Sequence, residues 1–206
     1  MSYLPNNGTI PFSFSANSSR MMAGMIINNA RTLPVINTAI YDPASTLPDD
    51  WLVPGAPGNA YAALSSNAAN KFKAQQKTFT QATAVGGGTL ATVFTVVSVL
   101  SEGTIADESA GFPVYEIGQT VTYVPIRSGA VLAVPVTASV EATRYTGMTY
   151  DPATLKWTLT TSANPDIPVA VSCYRNGIVP LKRAAGLKPL LTTGLIAEIT
   201  LIVNKP

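Results

Sequence analysis

The chain has 206 residues, 47% of them hydrophobic and only 12% charged, with a mean hydropathy of +0.25. A soluble domain usually carries about twice that charged share, so part of this surface is expected to lie against a partner. The 13 basic and 11 acidic residues give a net charge of +2 and are scattered along the chain, whereas a nucleic-acid footprint needs clustered cations.

Histidine is absent and Cys173 is the single cysteine. Together these facts exclude Ser-His-Asp and Cys-His catalysis, His-ligated metals, Cys-rich zinc sites and a disulfide within the chain. No apolar run approaches the roughly 18 to 20 residues of a membrane-crossing helix, so no membrane partner is expected. The opening Met1-Ser2-Tyr3-Leu4-Pro5-Asn6-Asn7 has neither a basic nor an apolar leader segment. The protein is expected to stay in the cell that makes it or to leave by lysis.

Residues 1 to about 60 are dense in Asn and Pro, and turn signals recur at Asn7-Gly8, Asp42-Pro43 and Pro54-Gly55. An extended N-terminal arm is expected. Within it, Ser18-Ser19 is placed to cap a short helix with Met21, Met22, Met25 and Ile26 on one face. An arm with little fold of its own must dock its apolar side chains elsewhere, so these four residues and Trp51 are candidate interaction residues. On the same ground the remainder of the chain is expected to fold without the arm.

Residues 61–84 form the next unit. From Tyr61 to Lys77 neither Pro nor Gly occurs, and Ala, Gln, Lys and Leu dominate, which predicts a helix with Leu64, Ala68 and Phe72 on its buried stripe. Lys71, Lys73 and Lys77 are its solvated basic face. Gly86-Gly87-Gly88 then interrupts the chain. It lacks the Gly-Lys-Ser/Thr ending of a phosphate loop and precedes a strand, so it is read as a linker.

Residues 85–206 change to Val, Thr, Ile and Tyr, which suit a pleated, half-buried surface. Strands are predicted over 90–100, 119–126, 130–140, 143–150, 155–161, 169–175 and 195–203. Seven strands with short turns predict a small β-sandwich or barrel, giving a mainly β chain with a short helix and an arm before it. In the clearest strand Leu155, Trp157 and Leu159 alternate with Lys156, Thr158 and Thr160, so the first three face inward. Pro125 and Pro135 sit inside strand patterns, where proline belongs at an edge or bulge. Edges pair with neighbours, so both join the candidate interaction residues. Cys173 lies in an apolar strand pattern and is read as a buried, inert thiol.

Other groupings carry little chemistry. Glu102, Asp107 and Glu108 match no calcium-loop spacing. Asp49-Asp50 beside Trp51 has the ingredients of a sugar site, but adjacent carboxylates rarely face each other across a cleft, and a polar turn before an anchoring indole is the simpler reading. Asp151-Pro152 is a turn between strands. No catalytic residue, metal site or cofactor is assigned, and the chain is read as a non-enzyme.

Short Val/Thr/Ala strands, small-residue turns and scarce charge, as in residues 118–136 (GQTVTYVPIRSGAVLAVPV), together with the arm, resemble the β domains of tailed-bacteriophage head decoration (cement) proteins. The resemblance covers residues 85–206 and is one of style. It implies a virion structural protein, a homo-oligomer and most commonly a trimer. Such a protein is made in the host cytoplasm and sits on the capsid surface, where it links neighbouring major capsid subunits. The rival expectations are a phage tail or fibre component, a carbohydrate- or receptor-binding module using Trp51, Trp157 or Tyr150, and last a hydrolase.

Overall fold

The computed structural model describes residues 21–27, 37–41, 51–62, 77–81, 93–95, 111–116, 118–126, 128–141, 146–161 and 167–202. Among them every regular element is a β-strand, mostly in antiparallel pairings, and no helix occurs. The strands are β1 (Asn37–Tyr41), β2 (Pro57–Ala62), β3 (Lys77–Gln81), β4 (Val93–Thr95), β5 (Thr120–Pro125), β6 (Val131–Pro135), β7 (Thr146–Asp151), β8 (Lys156–Thr161), β9 (Val169–Leu181) and β10 (Leu190–Leu201).

The last five strands form one sheet in the order β6-β10-β9-β7-β8. Its spine is the long β9–β10 hairpin, paired from Leu190↔Leu181 to Leu201↔Val169. The strand expected to stop at Arg175 continues to Leu181, and its partner begins at Leu190 instead of Leu195. Among the first five strands, β1 pairs with β3 and β5, β2 with β3 and β4, and β4 with β5. The β1–β3 pair is parallel and the others are antiparallel.

Alternation places the core as expected in β8, where Trp157 and Leu159 are buried while Thr158 and Thr160 are exposed; Leu155, expected to open this strand, is buried too but stands in the turn before it with φ +59°. The Trp157 indole Nε1 donates to the Gly55 carbonyl at 2.9 Å, and its ring lies tilted against Tyr150 with centroids 5.1 Å apart. A buried indole N–H needs such a partner. The turn into β8 is held by Asp151, which accepts from the Ala153 amide and the Thr154 hydroxyl, both at 2.8 Å.

Three sequence expectations are corrected. Tyr61 and Ala62 belong to β2 and Lys77 to β3, with Ala62 opposite Lys77, so the ends of the predicted helix are paired strands. Long-range pairing overrides helix propensity here. The interior of that segment, with Leu64, Ala68, Lys71, Phe72 and Lys73, lies outside the described residues.

Met21 to Ile26 is not a helix either. It is a turn between two isolated bridges, Met22↔Ile178 and Ile26↔Leu132. Gly24 has φ +85° and lies so close to Pro54 that any Cβ there would collide with it, which a helix cannot accommodate. The segment 21–27 is a strap: Ala23 N–H donates to Ile178 O, Ile178 N–H to Met21 O, and Gly24 and Ile27 N–H to Ala133 O and Val131 O.

Finally, the described parts of the expected arm are integral to the β region. Met22, Tyr41, Leu52 and Val53 are buried in one cluster with Trp157, Ile199 and Leu201. Leu52 is bridged to Tyr115 by two backbone hydrogen bonds of 3.0 and 2.8 Å.

Candidate functional site

Beyond the sheet, the β9–β10 hairpin projects as a two-stranded ribbon. Leu181 and Leu190 are register partners, so their side chains stand side by side on one face. Two residues further in on that face, Val179 is fully buried against Ile196 and Ala133, beneath Met21, Met25 and Ile27 of the strap. The apolar row therefore runs out of a packed cluster onto an open surface. There Leu181 is 49% exposed, Leu190 39% and the neighbouring Leu187 47%.

This leucine lip is fixed in place. On one side Lys182 Nζ donates to Pro152 O at 3.1 Å, tying the lip to the β7–β8 turn. On the other, Phe112 N–H donates to Pro189 O at 2.9 Å. Lys188 Nζ lies 5.2 Å from the centroid of the Trp51 ring and 3.4 Å from Glu116 Oε1. That ion pair is half in solvent and adds little by itself, but with the other two contacts it holds the loop from several directions. Clamped, exposed leucines differ from a loop that simply fails to pack, because their ordering is complete before any partner arrives.

A second polar grouping sits on the open face of β9 and β10. Glu198 lies opposite Cys173 and Ile199 opposite Val171, which leaves Ser172 as the extra residue of a β-bulge. The bulge lets two consecutive side chains reach one carboxylate. Ser172 Oγ donates to Glu198 Oε1 at 3.0 Å, and Cys173 Sγ to Oε2 at 3.3 Å. Arg175 Nε donates to Cys173 Sγ at 3.4 Å, and its Nη2 is 3.8 Å from Glu198 Oε2. The contact with Cys173 Sγ, and then the Glu198 carboxylate, raise the Arg175 guanidinium further above its already high range. Cys173 is therefore half-buried and hydrogen-bonded, not buried in apolar surroundings as its sequence setting suggested. Among the described residues no group of three or more acidic or sulfur ligands is placed to hold a metal ion.

The sequence candidates are dispersed. Met22 and Pro135 are buried within their own chain, and Met21, Met25, Ile26 and Pro125 are half-buried. Pro135 ends the run of β6 residues that bond the strap, since it has no N–H to donate. It belongs, as expected, to an outer strand of its sheet. Among the described residues Pro125 lies past the last β1 partner of β5 and is paired with Val93 of β4 alone. Trp51 alone adjoins the lip, half-buried, with no hydrogen-bond partner for its indole N–H among the described residues. Glu102, Asp107 and Glu108 lie outside the described residues.

Sequence reading missed the lip. Its signal is present in LKRAAGLKPL, residues 181–190, where three leucines and three cations share ten positions without a carboxylate. Neither a protein-family model, nor a curated protein, nor a solved structure matches this chain.

Proposed function

We propose that the protein is a non-catalytic virion structural protein that attaches to the outside of a tailed-phage head and links neighbouring major capsid subunits, acting as a homo-oligomer, a trimer. The observation that carries this reading is the clamped leucine lip in a chain with so little charge. Such a surface is suited to burial against another protein. Attachment at many lattice positions then multiplies modest single contacts into a shell that resists dissociation. In the same reading the pairings of β1 to β5, which return from β5 to β1, make a small barrel packed against the β6–β10 sheet.

The carbohydrate-binding alternative is disfavoured by its own residues. Trp157 and Tyr150 are buried, and Trp51 is covered by Lys188. A tail or fibre role uses the same surface at a different place on the particle.

The test is to add the purified protein to phage heads that lack it and to tails prepared separately, then to image both by electron microscopy. Ordered copies on the heads, with heads that survive higher temperature, are expected. Copies on tails alone, or on neither, would overturn the proposal.

A further inference from the structure

We infer that the strap is a methionine latch: a peroxide that oxidises Met25 and Met21 to sulfoxides releases residues 21–27 from β6 and β9, and a methionine sulfoxide reductase closes it again. The inference is independent of the docking reading above. Three of the chain's five methionines lie between Met21 and Ile27. Met22 to Met25 is a tight turn in which Met25 N–H donates to Met22 O at 3.2 Å, and Gly24 takes the position that needs a positive φ. The Met25 side chain closes the same turn from the other end, since its Sδ accepts the Met22 N–H at 3.3 Å. Met22 is buried, and among the described residues this sulfur is the only acceptor its N–H has. Met25 therefore does two things at once: its weakly accepting sulfur caps the turn, and its apolar arm packs against Ala133, Val179 and Ile196. A sulfoxide cannot do both. An oxygen on the lone pair that faces Met22 has no room in a 3.3 Å contact. On the other lone pair it makes polar a side chain that packs against three fully buried residues. Met21 lies against the same three residues and adds to the cost.

The chemistry needs only access. The sulfur gives an electron pair to one oxygen of hydrogen peroxide, the O–O bond breaks, and the second oxygen takes the proton of the first and leaves as water. Reduction returns two electrons and two protons from a pair of thiols, and the sulfoxide oxygen leaves as water. Met21 and Met25 are half-buried, whereas Met22 and Met148 are 1% and 4% exposed, so a small oxidant meets the two latch sulfurs first. Release then uncovers what the strap pairs: the Ile178 N–H and C=O on β9, and the Val131 C=O with the Ala133 N–H and C=O on β6. Open strand edges pair with other chains, so the redox state of two side chains decides whether these stretches of β6 and β9 are sealed.

The experiment treats the full chain with hydrogen peroxide. Peptide mapping by mass spectrometry reads which sulfurs gain oxygen, and hydrogen exchange reads the amides. Met21 and Met25 should gain oxygen about tenfold faster than Met22 and Met148. The Ile178 and Ala133 amides, which donate to the Met21 and Met25 carbonyls, should then exchange about a hundredfold faster, while the Leu201 amide, bonded to Ala130 O, keeps its rate. Methionine sulfoxide reductases for both epimers should restore the slow exchange. Met21→Leu with Met25→Leu removes the Met22 acceptor, so its starting rates need not match the parent's, but they should not respond to peroxide. A response that survives in this variant would assign the effect to another sulfur, Cys173 included, and overturn the latch. Oxidised Met21 and Met25 with Ile178 and Ala133 exchange unchanged would overturn it as well, since the strap would then hold regardless. So would a Leu201 amide that speeds up equally, which marks general unfolding, or a folded chain whose Met21 and Met25 resist peroxide.

Discussion

Gly177 and Gly194 face each other across the β9–β10 ribbon, and neither position has room for a side chain. A Cβ on Gly177 would run into both the Ile196 side chain and the Met21 carbonyl oxygen that accepts the Ile178 amide. Bare backbone here is what lets the strap approach. Gly177→Ala is expected to destabilise the fold by about 1 to 3 kcal/mol, because a backbone oxygen must move. Gly194→Ala meets mainly Val179 Cγ2 at 2.6 Å, a side-chain methyl, and should cost less. Urea melts of the two variants test the order, and a Gly177→Ala protein as stable as its parent would contradict the docked strap.

Trp157→Ala should cost about 3 to 5 kcal/mol through lost burial and the cavity left behind. Trp157→Phe keeps most of the ring but strands the Gly55 carbonyl, for an expected loss of about 1 to 3 kcal/mol. Emission from Trp157, read in a Trp51→Phe background, should be blue and resist acrylamide. A red, quenchable signal would show the indole in water.

The Tyr150 hydroxyl is buried without a hydrogen-bond partner among the described residues. Burial first, and then the negative charge of Asp151, raise its pKa far above the ordinary 10.0. In the unfolded chain it ionises at the ordinary value, so above about pH 10 only the unfolded state releases this proton. Stability then falls by as much as about 1.4 kcal/mol per pH unit. Below that pH Tyr150 contributes no slope. Tyr150→Phe should flatten the alkaline limb of a melting-temperature profile and leave neutral stability equal or about 1 kcal/mol higher, since it removes an unpartnered polar group. An unchanged alkaline slope would assign the effect to other groups.

Removing residues 1–55 should unfold the protein, because Met22, Tyr41, Leu52 and Val53 are lost from the core together with all of β1. Circular dichroism of the truncated chain decides this. A folded truncation would restore the separable arm.

Much of the C-terminal sheet was legible in the sequence because its strands alternate plainly, as Lys156–Thr161 shows, and turn residues such as Asp151-Pro152 mark its hairpins. The N-terminal strands were not. Asn37–Tyr41 and Pro57–Ala62 have no strong period of their own and are defined by partners far away in sequence, Thr120–Tyr123 for the first and Lys77–Gln81 for the second. The strap was misread as a helix for a related reason. Met21, Met22, Met25 and Ile26 fit a helical stripe equally well, and only Gly24 argued otherwise. Of the lip, the sequence supplied the residue types but not their exposure. That depends on where Ile196 and Val179 stop being covered.

The strap also sets when the protein can finish folding. Met22 and Ile178 are translated far apart, yet they bridge directly, and the strap covers Ile196 from a still later strand. A ribosome must therefore synthesise everything from the strap to Ile196 before this cluster has both halves. Until then the methionines of the strap and the β9–β10 ribbon are both uncovered. Folding is expected to be slow, with the early segment exposed to aggregation or to chaperones in the interval. Once closed, the connection must open before either end can peel away.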